Sequence, residues 1–290
     1  MNIWDKFKAK YATFDTSGQL ITILFFITLF GWILSSVYEP AYMQLVLPNG
    51  FLPALLQPWS WITYGFLHED LWHFIGNAFG IYIAGRYVLN IFKGRQLLSL
   101  FFLGVLAGSI SFILATGLMP GFFKGGSMIG ASAGVFALIF FACFYFPESE
   151  YRLIFVNIKL KYFAYFFLAS NLAMVILQLN TGGSLAHLAG AGVGYYTALR
   201  MKEGIDILEG FAKIGDYFTS LFKSASNSTK SERKAKMKTV YKGNNKASKS
   251  AAAKSTDQVK VDSILDKISS SGYESLSKAE KDYLFKAGKD

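Results

Sequence analysis

The chain has 290 residues, 52% of them apolar and 17% aromatic but only 17% charged, with a formal net charge of +10. That balance excludes an ordinary soluble domain, because the apolar residues gather in blocks close to the roughly 20 residues that cross a bilayer. A single cysteine, Cys143, excludes an intrachain disulfide and any multi-cysteine metal site. It lies in an apolar run and reads as a packing residue.

Residues 1–18 place Ile3, Trp4, Phe7, Tyr11 and Phe14 at helical spacing among lysines, which predicts a cytoplasmic interfacial helix. The first apolar block follows. No small-residue cleavage pattern comes after it, so it reads as a retained helix rather than a signal peptide. The apolar runs predict spanning helices over 19–38, 71–92, 97–118, 129–146, 162–179 and 184–200. The expected fold is all-α: a polytopic six-helix transmembrane bundle over residues 19–200 with a short cytoplasmic helical tail. Residues 39–70 form a long first loop carrying four prolines with Tyr38, Tyr42, Trp59 and Trp61 at its edges, residues suited to the membrane interface. The glycine-rich stretch from Asn180 to Ser184 reads as a flexible loop able to cap a site at the start of the last span, or as a tight turn between the fifth and sixth spans.

Basic residues orient the bundle, since they favour the cytoplasmic side. With the N-terminus inside, Lys6, Lys8, Lys10, Arg86, Lys93, Arg95, Arg152, Lys159, Lys161, Arg200 and Lys202 are all inside. Of the basic residues up to Lys202, Lys124 alone is left outside. After the last span, residues 201–222 carry Ile207, Phe211, Ile214, Phe218 and Leu221, an amphipathic juxtamembrane segment. Residues 223–258 form a basic linker; from Lys223 to Lys254 ten basic residues face one acid, Glu232. Such a segment buries no core, and its charge suits anionic lipid headgroups. It lacks the interleaved aromatics of a nucleic-acid binder, so no nucleic-acid partner is expected. Residues 259–290 regain pattern, with Val261, Ile264, Leu265 and Ile268 on one helix face. Ser277-Lys278-Ala279-Glu280 reads as a capping box opening a second helix.

The chemistry-bearing residues gather at one depth. The second, fourth and sixth spans run in the same direction, from outside to inside. Ser132 falls in the first turn of the fourth and His187 in the first turn of the sixth. His68 and His73 lie just before and within the start of the second, and Asn77 follows His73 on the same helix face. The four-residue stripe Ala186, Gly190, Gly194 and Ala198 faces the pairs Gly130 with Gly134 and Ala133 with Ala137, which lets two helix backbones approach in lipid. A hydroxyl beside an imidazole is a nucleophile with its base. No acidic residue lies in the outer halves of the spans, which points to a Ser–His dyad. His73, the Asn77 amide and the Ser132 backbone N–H are candidate oxyanion donors. Two other readings carry less. A zinc site on His68, His73 and His187 leaves Ser132 unexplained. A proton or ion pathway calls for ionisable residues at the midplane, where the spans are apolar. No metal and no cofactor are expected.

These patterns together resemble the rhomboid family of intramembrane serine proteases, over about residues 19–200. Gly130-Ala131-Ser132 is similar to the family's Gly-x-Ser nucleophile motif. Ala186-His187-Leu188-Ala189-Gly190, with Gly194, is similar to its histidine helix, and the run from His68 to Asn77 to its second-helix signature. The resemblance implies Ser132 as nucleophile, His187 as general base, His73 and Asn77 on the oxyanion, and the Phe136 ring packed on His187. Gly130, Gly190, Gly194 and His68 take supporting places. It further implies transmembrane protein substrates cut near their outer ends, at the outer face of a cell membrane, a bacterial inner membrane by this reading. Membrane lipids are the other expected partners, and the oligomeric state is left open. Two departures stand out. Ala133 follows the serine where the family usually has glycine, and Trp59-Ser60-Trp61 stands where a Trp-Arg pair is usual. The first allows an alternative, a catalytically silent relative that binds or escorts membrane clients. The residues after 258 resemble a small helical tail found in some bacterial members.

Overall fold

The computed structural model describes residues 2–122, 126–153, 155–226 and 256–287. Lys124 and most of the basic linker lie outside the described residues. The chain divides into two units, residues 1–231 and 232–290.

The first unit is helical throughout its core. Helix α1 (Ile3–Ala12) opens on a capping box between Asn2 and Asp5, and its Phe7 ring meets Phe26 edge-on. Asp15 caps α2 (Thr16–Val37), accepting from the Gly18 amide at 2.8 Å. Three further long helices are α6 (Leu71–Val88), α7 (Gly94–Leu118) and α10 (Thr181–Lys202). Two are shorter, α8 (Ser132–Tyr145) and α9 (Leu160–Ile176). Each overlaps one of the six expected spans. Among the described residues only α2 and α7 are long and apolar enough to cross a membrane by length and composition; α8 and α9 are apolar but shorter. The sequence explains this split. Histidine, asparagine, serine, threonine and glycine dilute α6 and α10, while α8 is shortened because residues 126–131 run as non-helical chain before it.

Helix α8 is the centre of the fold. Residues 133–138 and 140–143 are all buried, enclosed by α6, α7, α9 and α10. Close approach depends on glycine. A β-carbon at Gly190 or Gly194 of α10 would stand 2.1 and 2.2 Å from the carbonyl oxygens of Ala133 and Ala137. Gly134 serves a different neighbour from the one expected: it lies under Phe101 of α7, and Gly104 of α7 lies on it in turn. The α8–α10 contact is thus glycine on alanine carbonyl, and the α7–α8 contact uses glycine from both sides.

The expectation of an all-α fold requires correction. Residues read as a basic inner loop form an antiparallel hairpin, β1 (Glu150–Leu153) and β2 (Val156–Lys159), with Leu153 opposite Val156. Tyr151, Val156 and Ile158 suit a strand. The hairpin is anchored by Tyr87, whose hydroxyl donates to the Glu150 carbonyl at 2.9 Å. Lys159 and Lys161 flank Glu148 and hold its carboxyl down to about 2.

The first loop is also more ordered than its prolines suggest. It holds α3 (Glu39–Met43), α4 (Phe51–Leu56), α5 (Ser60–Thr63) and a 3₁₀ turn at Tyr64–Phe66. Gln57 Nε2 donates to the carbonyls of Met43, Gln44 and Val46. The indole N–H groups of Trp59 and Trp61 donate to Gln44 and Ala54. Tyr64, fully buried, donates to the Val105 carbonyl at 2.7 Å. The loop is pinned by amide and indole donors.

Helix α11 (Leu208–Ser226) ends the first unit; it buries Leu208 and Ala212 and leaves Ile214 exposed. In the second unit α12 (Thr256–Ser271) buries Ile264 while Leu265 points outward. A 3₁₀ turn at Tyr273–Ser275 leads to α13 (Lys278–Ala287). The Ser277 amide and hydroxyl donate to Glu280 at 2.7 and 2.8 Å, and Lys267 of α12 pairs with the same carboxylate.

Candidate active site

The site begins where the extended chain turns into α8. Met128 pairs with Leu47 as an isolated bridge, and the Gly130 amide donates to the Tyr64 carbonyl at 3.0 Å. Gly130 then takes φ +124°, and a β-carbon there would lie 2.7 Å from the His73 ring. Both the backbone angle and the close ring require glycine. Ser132 follows as the first residue of α8, so its N–H is among the first-turn amides that have no acceptor within the helix.

Helix α10 supplies His187. It starts at Thr181, after Asn180 in the left-handed conformation at φ 48°. The stretch read as a flexible glycine loop is therefore the first helical turn, and His187 falls in the second turn rather than the first. Its Nε2 lies 2.7 Å from Ser132 Oγ. The Phe136 ring stacks on the imidazole, with centroids 4.4 Å apart and planes 10° apart.

Helix α6 supplies the facing wall. Asp70 is its N-cap and accepts from the amides of Trp72 and His73 at 2.7 and 2.9 Å. The His73 amide holds the Asp70 carboxyl below its ordinary range. One turn on, Asn77 is buried, and its Nδ2 has no hydrogen-bond partner among the described residues. His68 stands behind His73, not beside Ser132. Its ring meets His73 edge-on at 5.2 Å, its Nδ1 is 2.8 Å from the Thr28 hydroxyl, and its carbonyl accepts from the Trp32 indole. Burial pushes the His68 imidazole down to about 3. Among the described residues no three His, Cys, Asp or Glu side chains are grouped as a metal ion would need.

Two cavities meet at Ser132, His73 and His187. One, about 480 Å³, is an apolar groove lined from α6 by Asn77, Phe79 and Ile83, from α8 by Val135, Phe136 and Ile139, and from α9 by Phe163 and Phe167. The other, about 200 Å³, is more polar and is lined by Tyr64, Glu69, Asn180 and the chain before α8. A serine hydroxyl with an imidazole at hydrogen-bond distance, an unpaired amide donor and a helix-start N–H around one space are the parts of an acyl-transfer site.

The family model for the rhomboid domain matches residues 55–203, just over half of the chain. The chain belongs to the rhomboid family. The matched range holds Ser132, His187, His73, Asn77, Phe136 and the glycines between α8 and α10. Two curated relatives are distant. RHOMBOID-like protein 12, mitochondrial, of Arabidopsis thaliana is 27% identical over 159 residues, covering 49% of this chain and 46% of its own length. Rhomboid-related protein 2 of Mus musculus is 28% identical over 112 residues, covering 36% of this chain and 35% of its own length. The chain thus spans less than half the length of either. Residues 248–287 match a separate family of unknown function, DUF6576.

One polar residue beside His187 escaped the sequence reading. Asn171 of α9 is buried at 5% exposure, and its Oδ1 lies 2.9 Å from His187 Nδ1. An asparagine inside an apolar helix was the available signal. Spacing could not aim it, because its partner lies across the turn between two helices.

Proposed function

We propose that this rhomboid family membrane protein is an intramembrane serine endopeptidase acting on transmembrane proteins. The observation that carries the reading is the 2.7 Å separation of Ser132 Oγ and His187 Nε2. In this mechanism Ser132 Oγ attacks a peptide carbonyl while His187 Nε2 takes its proton. The oxyanion that forms is met by the Ser132 N–H, Asn77 Nδ2 and the His73 ring, a set of donors held by α6 and the start of α8. An unpaired amide costs about 1–3 kcal/mol to hold in a buried site, and a new acceptor at the oxyanion removes that cost in the transition state. His187 returns the proton to the leaving amine, and water entering by the polar cavity releases the acyl group from Ser132.

Six spans with cytoplasmic termini accompany this reading. A helix of 14 residues is about 21 Å long, shorter than the roughly 30 Å hydrocarbon core. If α8 reaches the inner side, Ser132 lies below the outer surface, near the outer end of a substrate's span. The apolar groove between α6 and α9 suits a segment of substrate, and the basic inner loops suit anionic lipid. The catalytically silent alternative rests on Ala133. The buried Ala133 methyl is directed at Gly108 of α7, where any β-carbon would come within 2.5 Å of it, so the extra methyl is accommodated between helices. The test is labelling of the detergent-purified protein by a fluorophosphonate, with cleavage of single-span reporters. Wild type labels and cleaves; Ser132→Ala does neither. Labelling that persists in Ser132→Ala removes that serine from the mechanism, and client binding without cleavage favours the silent alternative.

A further inference from the structure

The described dyad leaves one ring nitrogen of His187 to account for. That atom, Nδ1, lies 2.9 Å from Asn171 Oδ1, while Asn171 Nδ2 donates to the Phe167 carbonyl at 2.8 Å. We infer that Asn171 is the third member of the site, a positioning residue on α9 that fixes both the ring angle and the proton placement of His187. The inference rests on the Ser132–His187 reading above.

The direction of the hydrogen bonds carries the argument. A backbone carbonyl only accepts, so the Phe167 oxygen requires the amide nitrogen of Asn171 on its side. The amide oxygen is then turned to His187 and accepts from Nδ1–H. A neutral imidazole carries one proton; with it on Nδ1, Nε2 presents its lone pair to the Ser132 hydroxyl. Phe167 carbonyl, Asn171, His187 and Ser132 therefore form one chain whose protons all point the same way. A flipped amide breaks the bonds at both Phe167 and His187; the other tautomer breaks the bond at Nδ1 and leaves Nε2 donating to Ser132 Oγ, unable to take its proton.

Polar side chains in apolar helices commonly bond back to the carbonyl four residues earlier, and Asn171 does so. That bond uses Nδ2 and leaves Oδ1 free to be aimed. Asn171 is one of three buried residues on α9, with Leu160 and Ala164 nearer the helix start; the face it sits on is the one toward His187. The ring is thus held in two independent ways. Phe136 stacking sets its plane, and Asn171 sets its rotation within that plane. The amide also suits a low-dielectric site. It places a carbonyl dipole on Nδ1–H as His187 becomes cationic, without the desolvation cost of a buried carboxylate.

The test uses the full-length protein in detergent. Asn171→Leu keeps the side-chain volume and removes the acceptor. It is expected to lower the fluorophosphonate labelling rate and reporter kcat about 10–100-fold, with KM within about twofold. Asn171→Asp, which restores an acceptor oxygen, is expected to recover about tenfold over the leucine variant. With ¹⁵N-labelled histidine, His187 shows its proton on Nδ1 in wild type and a mixture of tautomers in Asn171→Leu. A leucine variant that labels within about twofold of wild type, or that keeps the proton wholly on Nδ1, overturns the inference. If Asn171→Leu does not accumulate folded, Asn171→Ser, too short to reach His187, carries the same expectations. The protease reading fails separately: Ser132→Ala retaining its labelling removes the nucleophile, while the tautomer change on loss of Asn171 still decides the positioning role.

Discussion

Replacing Gly190 by alanine would put a methyl group 2.1 Å from the Ala133 carbonyl oxygen, and β-carbons essentially never approach within 3.0 Å of another heavy atom. The obstacle is backbone, so no side chain can rotate away. Helix α10 must withdraw by about 1 Å, and His187, three residues earlier on the same helix face, moves with it. The Ser132–His187 separation then grows from 2.7 Å to about 3.6 Å, beyond a hydrogen bond. A displacement of that size costs roughly 100-fold in rate. Gly192 is the internal control: a β-carbon there meets nothing within 4 Å, and alanine is the better helix former by about 1 kcal/mol. Labelling rate and reporter kcat should therefore fall about 100-fold in Gly190→Ala and stay at wild-type level in Gly192→Ala. Equal behaviour of the two variants, in either direction, would refute the claim that glycine at 190 sets the spacing of the two helices.

Two further expectations follow from the facing wall. Asn77→Ala removes one proposed oxyanion donor and should lower kcat by about 10²–10³. Its thermal stability in detergent should not fall, because the lost amide N–H had no partner among the described residues; a large stability loss would show that Asn77 is structural. His68 is 1% exposed and held neutral down to about 3. Its folded pKa is below the unfolded value of about 6.5, so its contribution is full above pH 6.5 and is lost as pH falls toward 3. Between pH 7 and 5 wild type should lose about 2 kcal/mol that a His68→Gln variant retains. Parallel curves for the two proteins would exclude this origin for any acid sensitivity.

How much of the site was legible follows from how far each interaction reaches along the chain. Ser132 and His187 could be paired from the sequence because each was expected near the start of a span running in the same direction, and that expected direction follows from the basic residues at the turns. His73 and Asn77 needed only the four-residue helical repeat. Asn171 needed more. Its spacing from His187 is 16 residues across a helix turn, and that number fixes neither the tilt of α9 nor the rotation of the side chain. Gly134 was legible as a packing glycine but not as the partner of Phe101, since a small residue on a central helix has neighbours on several sides.

The helix ends and the hairpin divide the same way. Local chemistry in the sequence sets the Asp15 and Asp70 caps, the Ser277–Glu280 box and the apolar runs themselves, because each involves residues within one or two turns. The start of α10 at Thr181 and the shortening of α8 to Ser132 were decided by tertiary structure. Residues 181–184 become helical with Ser184 fully buried and Gly182 set against Phe112. Residues 126–131 stay non-helical, held by Leu47 and by the Tyr64 carbonyl. Sequence by itself determined which polar residues are the candidates for the proposed chemistry and on which helices they ride, since those depend on residue type and local period. Tertiary structure decided their distances, the third contact on His187 and the residue at which α8 begins, since those are set by backbones meeting across helices far apart in the chain.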